Sequence, residues 1–326
     1  MSPLPAHSIL NRHRWSAGEL LWFACALGCF FAFPEDLTLG TSVLVMVLLV
    51  LSYDLLLGFS GVLSLGHAVY FGLGGFVAGW LSLSGWTDPV VDALIAAVAA
   101  AAAAALVGPF LLRLTGLPLL MVTLALCVLV FEAAHQATRI TGGDDGLSGI
   151  QFGAILGLFE WGLGGGTSYL YVLAWTAVLY VVMKRVVASP FGVMLQGIRE
   201  NPKRMRLIGN RVLPHLVSAY VISGAIAGLA GALFTQANAF VGLGVLSLDM
   251  SLDVLVMLVL GGIGTLYGAF VGAPVYMVLR HFSSQWSPFY WMLVIGLLLI
   301  AVVMFGQGGL LGTARSLLAR LRKAQP

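Results

Sequence analysis

Apolar runs recur along the chain at Ala17–Phe33, Thr38–Leu57, Ser64–Leu83, Val90–Leu112, Leu117–Ala137, Tyr169–Val187, His215–Asn238, Leu252–Ile263, Tyr267–Phe282 and Pro288–Phe305. A helix needs about 20 such residues to cross a bilayer. The third, eighth and ninth runs meet that measure least well. The third is crowded with glycine, and Leu252–Ile263 is too short to cross unless it is tilted or re-entrant. The pattern predicts an all-α polytopic membrane protein of about 8–10 transmembrane helices with a broken or re-entrant glycine-rich segment.

Composition agrees with that reading and excludes a water-soluble globule. Of 326 residues, 60% are hydrophobic and 9% charged, against about a quarter charged in an ordinary soluble domain. The 41 glycines suit closely packed membrane helices. Small residues at four-residue spacing (Gly75/Gly79, Gly224/Gly228/Ala232, Gly264/Gly268/Gly272) share one helix face, which fits either a subunit contact or packing within the chain. No convincing sequence repeat links the two halves, although an inverted repeat can hide in hydropathy. The three cysteines all lie in apolar runs, so no disulfide framework or metal site is expected.

The few charges fix an orientation. With ten crossings and both termini inside, every one of the 16 basic residues except Arg139 and Arg280 falls on the cytoplasmic side, as the positive-inside rule requires. The first run reads as a retained anchor, because its only A-x-A pattern, at Ala24–Ala26, lies in the middle of the run.

Three segments stand out. Ser60 to Gly75 packs five glycines, two serines and His67 into sixteen residues, a composition in which regular helix is hard to maintain. A broken helix in a membrane must satisfy its backbone on protein or in a water-filled cavity. His67 fits a structural hydrogen bond at least as well as a substrate contact. The turn-rich Ile140–Gly149 is expected as an ordered external loop, since its spacing does not match an EF-hand. From Ser189 to Pro214 runs the largest charged excursion. Ser189 suits an N-cap, Pro190 the first helical position and Gly209 a stop. Phe191, Met194, Leu195 and Ile198 form one stripe, and Pro202 is expected to break the helix. The loop could simply obey the positive-inside rule, lie on anionic headgroups, or dock a soluble partner.

Several chemistries are absent. None of the three lysines follows a glycine, so no P-loop exists and nucleotide hydrolysis needs another chain. Asp54, Glu132 and Asp253 are each expected near the end of a span, which weakens an ion-coupled secondary transporter. Two G-x-S-G patterns, at Ser60 and Ser148, are too short to support an intramembrane serine protease. No catalytic residue and no nucleic-acid partner is expected.

Ordered motifs identify a family. Gly61-Val-Leu-Ser-Leu-Gly-His67 with Phe71-Gly72, Met121-Val-Thr-Leu-Ala125, Thr141 to Ile150, Ser189-Pro-Phe-Gly192 with Ile198-Arg-Glu-Asn201 and Gly209, and Val259 to Gly264 occur in sequence from Leu37 to Gly312. Together they resemble the permease subunits of branched-chain amino acid ABC importers, in the LivM-like branch. The resemblance implies a bacterial inner-membrane protein with tails at 1–16 and 313–326 and a transmembrane domain at 17–312. It implies a heterodimer with a second homologous permease, two cytoplasmic ATPase subunits that hydrolyse ATP in place of any cofactor on this chain, and an external substrate-binding protein. The loop 189–214 then becomes the coupling element, through Phe191, Met194, Leu195, Ile198, Arg199, Glu200 and Gly209. The segment Gly61–Gly75 is expected to be broken and to line the pathway, with Ser64, Gly66, His67 and Tyr70 facing Thr123. Importers of urea or short-chain amides share this architecture, which leaves a second substrate class open.

Overall fold

The computed structural model describes residues 17–32, 36–86, 88–154 and 165–286, with single positions between 293 and 312. Both tails and most of the run Pro288–Phe305 lie outside the described residues. Helices α1 (Ala17–Ala32), α2 (Leu37–Tyr53), α3 (His67–Leu83), α4 (Pro89–Leu111), α5 (Leu117–Gln136) and α6 (Gly166–Ala188) precede two short ones, α7 (Pro190–Glu200) and α8 (Pro202–Leu207). Then follow α9 (Val212–Asn238), α10 (Leu248–Gly261) and α11 (Tyr267–Trp286). A π-helical segment, Asp54–Phe59, extends α2. Five of these stretches are long and apolar enough to cross a membrane: Leu37–Phe59, α4, α5, α6 and α9.

Helix α9 is the central post. It packs most extensively on α4 and α3, and small residues on all three let the backbones meet. A side chain on Gly74 of α3 would overlap the Gly228 carbonyl of α9, and one on Gly224 would come within 2.8 Å of Ala104 in α4. Gly272 similarly faces the Met257 carbonyl across the α10–α11 pair. The four-residue glycine spacings therefore serve packing within the chain.

Two crossings are interrupted. After the π segment the chain is non-helical from Ser60 to Gly66, and α3 begins at His67. The expected irregularity through Gly75 is confined to these seven residues. From His67 onward the helix is regular, and the later glycines are places of close packing, Gly74 and Gly75 against α9 and Gly72 and Gly79 against the coil that follows it. Helix α10 has 14 residues, about 21 Å of rise, too short to cross alone. The coil after α9, with a 3₁₀ turn at Leu243–Leu246, covers the remaining depth. It runs beside α3 from Gly79, which faces Val241, to Gly72, whose side chain would overlap Leu246.

Buried charges hold the basic end of the bundle together. Lys184 pairs with Glu19 of α1 at 2.7 Å, and Tyr267 donates to the same carboxylate at 2.5 Å. Asp54 and Asp253, expected near span ends, are built into the packing. Asp54 is fully buried, and its carboxylate accepts the backbone N–H groups of Gly264 at 2.7 Å and Leu266 at 3.0 Å. It thereby holds the turn between α10 and α11. Asp253 accepts from Arg280 at 2.7 Å and from the Tyr276 hydroxyl, so Arg280 belongs to the α10–α11 pair. Replacing Asp54 with alanine would strand two N–H groups, at about 1–3 kcal/mol each. A lowered melting temperature of the purified protein is the expected result, with Asp54→Asn intermediate because it keeps one acceptor oxygen.

At the opposite end, Leu147 and Val241 form an antiparallel bridge. This ties the 137–154 loop, ordered as expected, to the segment after α9. Asp144 in this loop is engaged by His135 at 3.1 Å.

Candidate functional site

The interruption at Ser60–Gly66 exposes backbone groups that no helix satisfies, and hydroxyls from neighbouring helices take them up. Leu65 N–H donates to Thr123 Oγ1 at 3.1 Å, Gly66 N–H to Ser64 Oγ at 3.3 Å, and Ala68 N–H to Ser251 Oγ at 3.1 Å. The Tyr53 hydroxyl donates to the Ser64 carbonyl at 2.8 Å. His67 Nε2 lies 2.8 Å from Ser52 Oγ, and Tyr70 donates to the Tyr220 hydroxyl at 3.0 Å. All these side chains are buried. In hydrocarbon an unsatisfied amide costs several kcal/mol, so the hydroxyls are what permit a break at this depth.

Ser64, Gly66, His67, Tyr70 and Thr123 are therefore brought together in one buried network, of which Tyr70 borders a cavity. Their partners Ser52, Tyr53, Tyr220, Ser223 and Ser251 were not singled out from the sequence. The available signal was weak, namely a hydroxyl side chain inside an otherwise apolar run. Ser223 also donates to the Ser52 carbonyl at 2.7 Å, which fastens α9 to α2 beside the cluster.

Two cavities flank this cluster. One of about 680 Å³ lies between α3, α4 and α5 and is lined almost wholly by apolar groups, among them Tyr70, Phe76, Ile95, Leu126 and Val130. The other, of about 400 Å³, opens toward the basic end and is bordered by Gly61, Leu63, Leu117, Leu120 and Arg199. Tyr70 borders the larger one. Gly66 and Thr123 line neither cavity but lie along the chain between Leu63 and Leu120 of the smaller and Val69 and Leu126 of the larger. They pack closely, since a Cβ on Gly66 would lie 3.0 Å from the Thr123 carbonyl oxygen.

The charged excursion folds as two helices broken at Asn201, the residue before Pro202, whose side chain caps α8 by accepting Arg204 N–H at 3.0 Å. Ser189 occupies the N-cap position, but its hydroxyl donates to the Val186 carbonyl at 2.6 Å. The apolar stripe of α7 is spent on the bundle: Leu195 and Ile198 are buried, and Phe191 stacks on His215. Met194 is half-buried and Glu200 is exposed. Arg199 turns inward, donating to the Gly58 carbonyl, and it packs against the backbone positions of Gly61 and Gly264. Gly209 follows α8 with φ +90°, a left-handed stop as expected. Arg199 itself stays exposed, and with Glu200 the open surface includes Lys203, Arg204, Arg206, Leu207 and Ile208. Leu207 is 88% and Ile208 66% exposed, an apolar pair with nothing over it among the described residues.

Comparison with known proteins places this arrangement. Residues 37–303 match the family described as branched-chain amino acid transport system, permease component. The chain is 28% identical over 302 residues to the high-affinity branched-chain amino acid transport system permease protein LivM of Escherichia coli strain K12, covering 85% of this chain and 70% of that protein. The Salmonella typhimurium LivM is also 28% identical, over 88% of this chain and 72% of its own length. A probable LivM from Methanocaldococcus jannaschii is 26% identical over 34% of each chain. No solved structure gives a significant match. A multi-pass helical protein with interrupted crossings, matched over residues 37–303 by the family's model, belongs to the branched-chain amino acid transport system permease components.

Proposed function

We propose that this protein is the membrane-spanning permease of an ATP-driven importer and forms the pathway for branched-chain or related hydrophobic amino acids. One observation carries the proposal: an apolar cavity and a second cavity at the basic end, bordered by Arg199 of α7, lie on either side of the tight contact of Gly66 with Thr123. By the positive-inside rule the basic end is cytoplasmic. The protein then sits in a bacterial inner membrane with both termini inside. A cavity of about 680 Å³ with few polar groups suits an aliphatic side chain and offers little to urea or a short amide.

In this reading a substrate-binding protein delivers the amino acid from outside, a second homologous permease completes the pathway, and two cytoplasmic ATPase subunits hydrolyse ATP. This chain contributes positioning and passage without covalent chemistry or a cofactor of its own. The ATPase contact falls on the surface that the fold leaves open: Glu200, Lys203, Arg204, Arg206, Leu207 and Ile208. The apolar stripe of α7 acts behind that contact, transmitting its movement. Arg199 bears on Gly58 and Gly61 at the start of the break and on Gly264 at the end of α10, so displacement of α7 reaches both interrupted crossings.

The decisive experiment is uptake by the complete complex, reconstituted with a second permease, the ATPase subunits and a substrate-binding protein from the same organism. ATP-dependent accumulation of labelled leucine is expected, and accumulation of urea or amides in its place would overturn the substrate assignment. Uptake without ATP would overturn the motor. Two variants separate docking from transmission. Leu207→Asp with Ile208→Asp should weaken co-purification of the ATPase about tenfold, or about 1.4 kcal/mol, at unchanged permease stability. Arg199→Gln should leave the ATPase bound and hydrolysing while the leucine moved per ATP falls.

A further inference from the structure

The two interrupted crossings are copies of each other in opposite orientation. The break before α3 carries Gly61-Val-Leu-Ser-Leu65, and the coil leading into α10 carries Gly244-Val-Leu-Ser-Leu248, 183 positions later. Five residues alone would be a weak match in a chain so rich in these types. The surroundings repeat as well. In each case a long helix ends (α2, α9), a non-helical stretch follows, a shorter helix begins inside the bundle (α3, α10), and a further helix packs back on it (α4, α11). Helix α2 leads to the basic end beside Arg199, whereas α9 departs from that end after α8. The relation is therefore two-fold about an axis in the plane of the membrane.

Such an axis makes a testable demand on the structure: a residue lying on it meets its own counterpart. Ala68 and Ser251 are counterparts, 183 positions apart, and Ala68 N–H donates to Ser251 Oγ at 3.1 Å. The starts of the two half-helices thus meet at the axis.

Helix α5 serves both copies. Its buried residues are Leu119, Thr123 and Cys127, one per turn on a single face. Thr123 Oγ1 receives Leu65 N–H from the first copy, and Cys127 Sγ donates to the Leu246 carbonyl of the second at 3.5 Å. The cavities divide in the same way. The smaller is bordered by Gly61, Val62 and Leu63 of the first copy, the larger by Leu246 of the second.

We propose that Gly61–Leu65 and Gly244–Leu248 are paired gates, the first closing the pathway toward the cytoplasm and the second toward the outside, each shutting on its own turn of α5. For its orientation and its motor this rests on the importer reading. Inverted repeats with discontinuous helices place the solute near the membrane midplane, at the interface of the repeats. Here that interface holds Ser64, Gly66 and Thr123 on one side and Leu246, Ser247 and Cys127 on the other. Because the gates grip adjacent turns of one helix and are joined at Ala68–Ser251, tilting the α3–α10 pair against α5 loosens one gate as it tightens the other. Such rigid-body rocking needs no separate coordination between gates. Nucleotide-driven movement of α7, delivered through Arg199 to Gly61 and Gly264, acts on the end of that pair.

The test uses the full complex in bilayers, with the exposed Cys25 and Cys29 replaced by alanine, the buried Cys127 kept, and one probe cysteine added. Leu117→Cys reports the cytoplasmic cavity and Ala133→Cys the external one; both positions are exposed. Trapping the ATPase with ATP and vanadate should shift maleimide labelling of the two probes in opposite directions, by about tenfold. Rates that move together, or move at one probe only, overturn the proposal. Adding Leu65→Cys and Thr123→Cys and oxidising them should freeze the response at both probes, and reductant should restore it. A response that persists at the external probe under this lock also overturns it, because the gates would then be independent. The labelling needs no knowledge of the substrate. A complex that passes this test and takes up no leucine would remove the substrate assignment while leaving the paired gates in place.

Discussion

Gly66→Leu is expected to abolish uptake while leaving the permease folded and bound to its partners. A Cβ at this position would already sit 3.0 Å from the Thr123 carbonyl oxygen and 3.7 Å from its Cβ, so three further carbons can be accommodated only by pushing α5 away. That movement separates Leu65 N–H from Thr123 Oγ1, and a buried amide left without its acceptor costs about 1–3 kcal/mol. The central packing of α9 on α3 and α4 does not involve Gly66, which is why assembly should survive. Gly66→Ala asks its neighbour to give only a few tenths of an ångström and should retain partial uptake. Transport assays in proteoliposomes beside affinity co-purification measure both halves of the expectation. Wild-type uptake by the leucine variant would show that Gly66 and Thr123 do not bound the pathway.

How far the sequence could reveal this arrangement depended on the length scale of the signal. Helices α4, α5, α6 and α9 follow from apolar runs long enough to leave one interpretation, and Ser189-Pro190 with Pro202 and Gly209 marks the ends of α7 and α8 closely. Glycine was ambiguous, because the same residue marks a broken helix at Gly61–Gly66 and a regular one at Gly72–Gly79, where α9 and the coil after it come near. Periodicity gave the stripe Phe191, Met194, Leu195 and Ile198 correctly but not its neighbour. An amphipathic helix lying on a bundle buries its apolar face there, so the surface open to a partner moved to Leu207 and Ile208, outside the stripe. The tie from Arg199 to the Gly58 carbonyl left no local signal, because the two are 141 positions apart and Arg199 itself stays exposed. The repeat of Gly-Val-Leu-Ser-Leu was present in the letters, yet only the contact between Ala68 and Ser251 gives so short a match physical meaning.

Gly231→Leu should prevent the protein from accumulating at all, and it marks the boundary between sites of passage and sites of assembly. A Cβ on Gly231 would overlap the Phe71 carbonyl oxygen, with Phe71 C at 2.8 Å and Gly75 N at 2.9 Å. All three are backbone atoms, so no rotamer change can relieve the clash and α3 and α9 would have to part. Ordinary overpacking costs about 1–3 kcal/mol where side chains can adjust. Here separation would also undo the matched contact of Gly74 with Gly228 and expose the Thr235 hydroxyl, which donates to the Gly75 carbonyl at 3.1 Å. Against a total stability of about 5–15 kcal/mol, losing the central helix contact leaves no folded permease to purify. Gly28→Leu, at a helical position with nothing within 4 Å, serves as the control and should accumulate normally. Fluorescence-detected size exclusion of tagged variants reads the difference directly. A monodisperse Gly231→Leu protein would mean that α3 and α9 can slide apart without unfolding, and the fixed post on which both gates turn would then have to be sought elsewhere in the bundle.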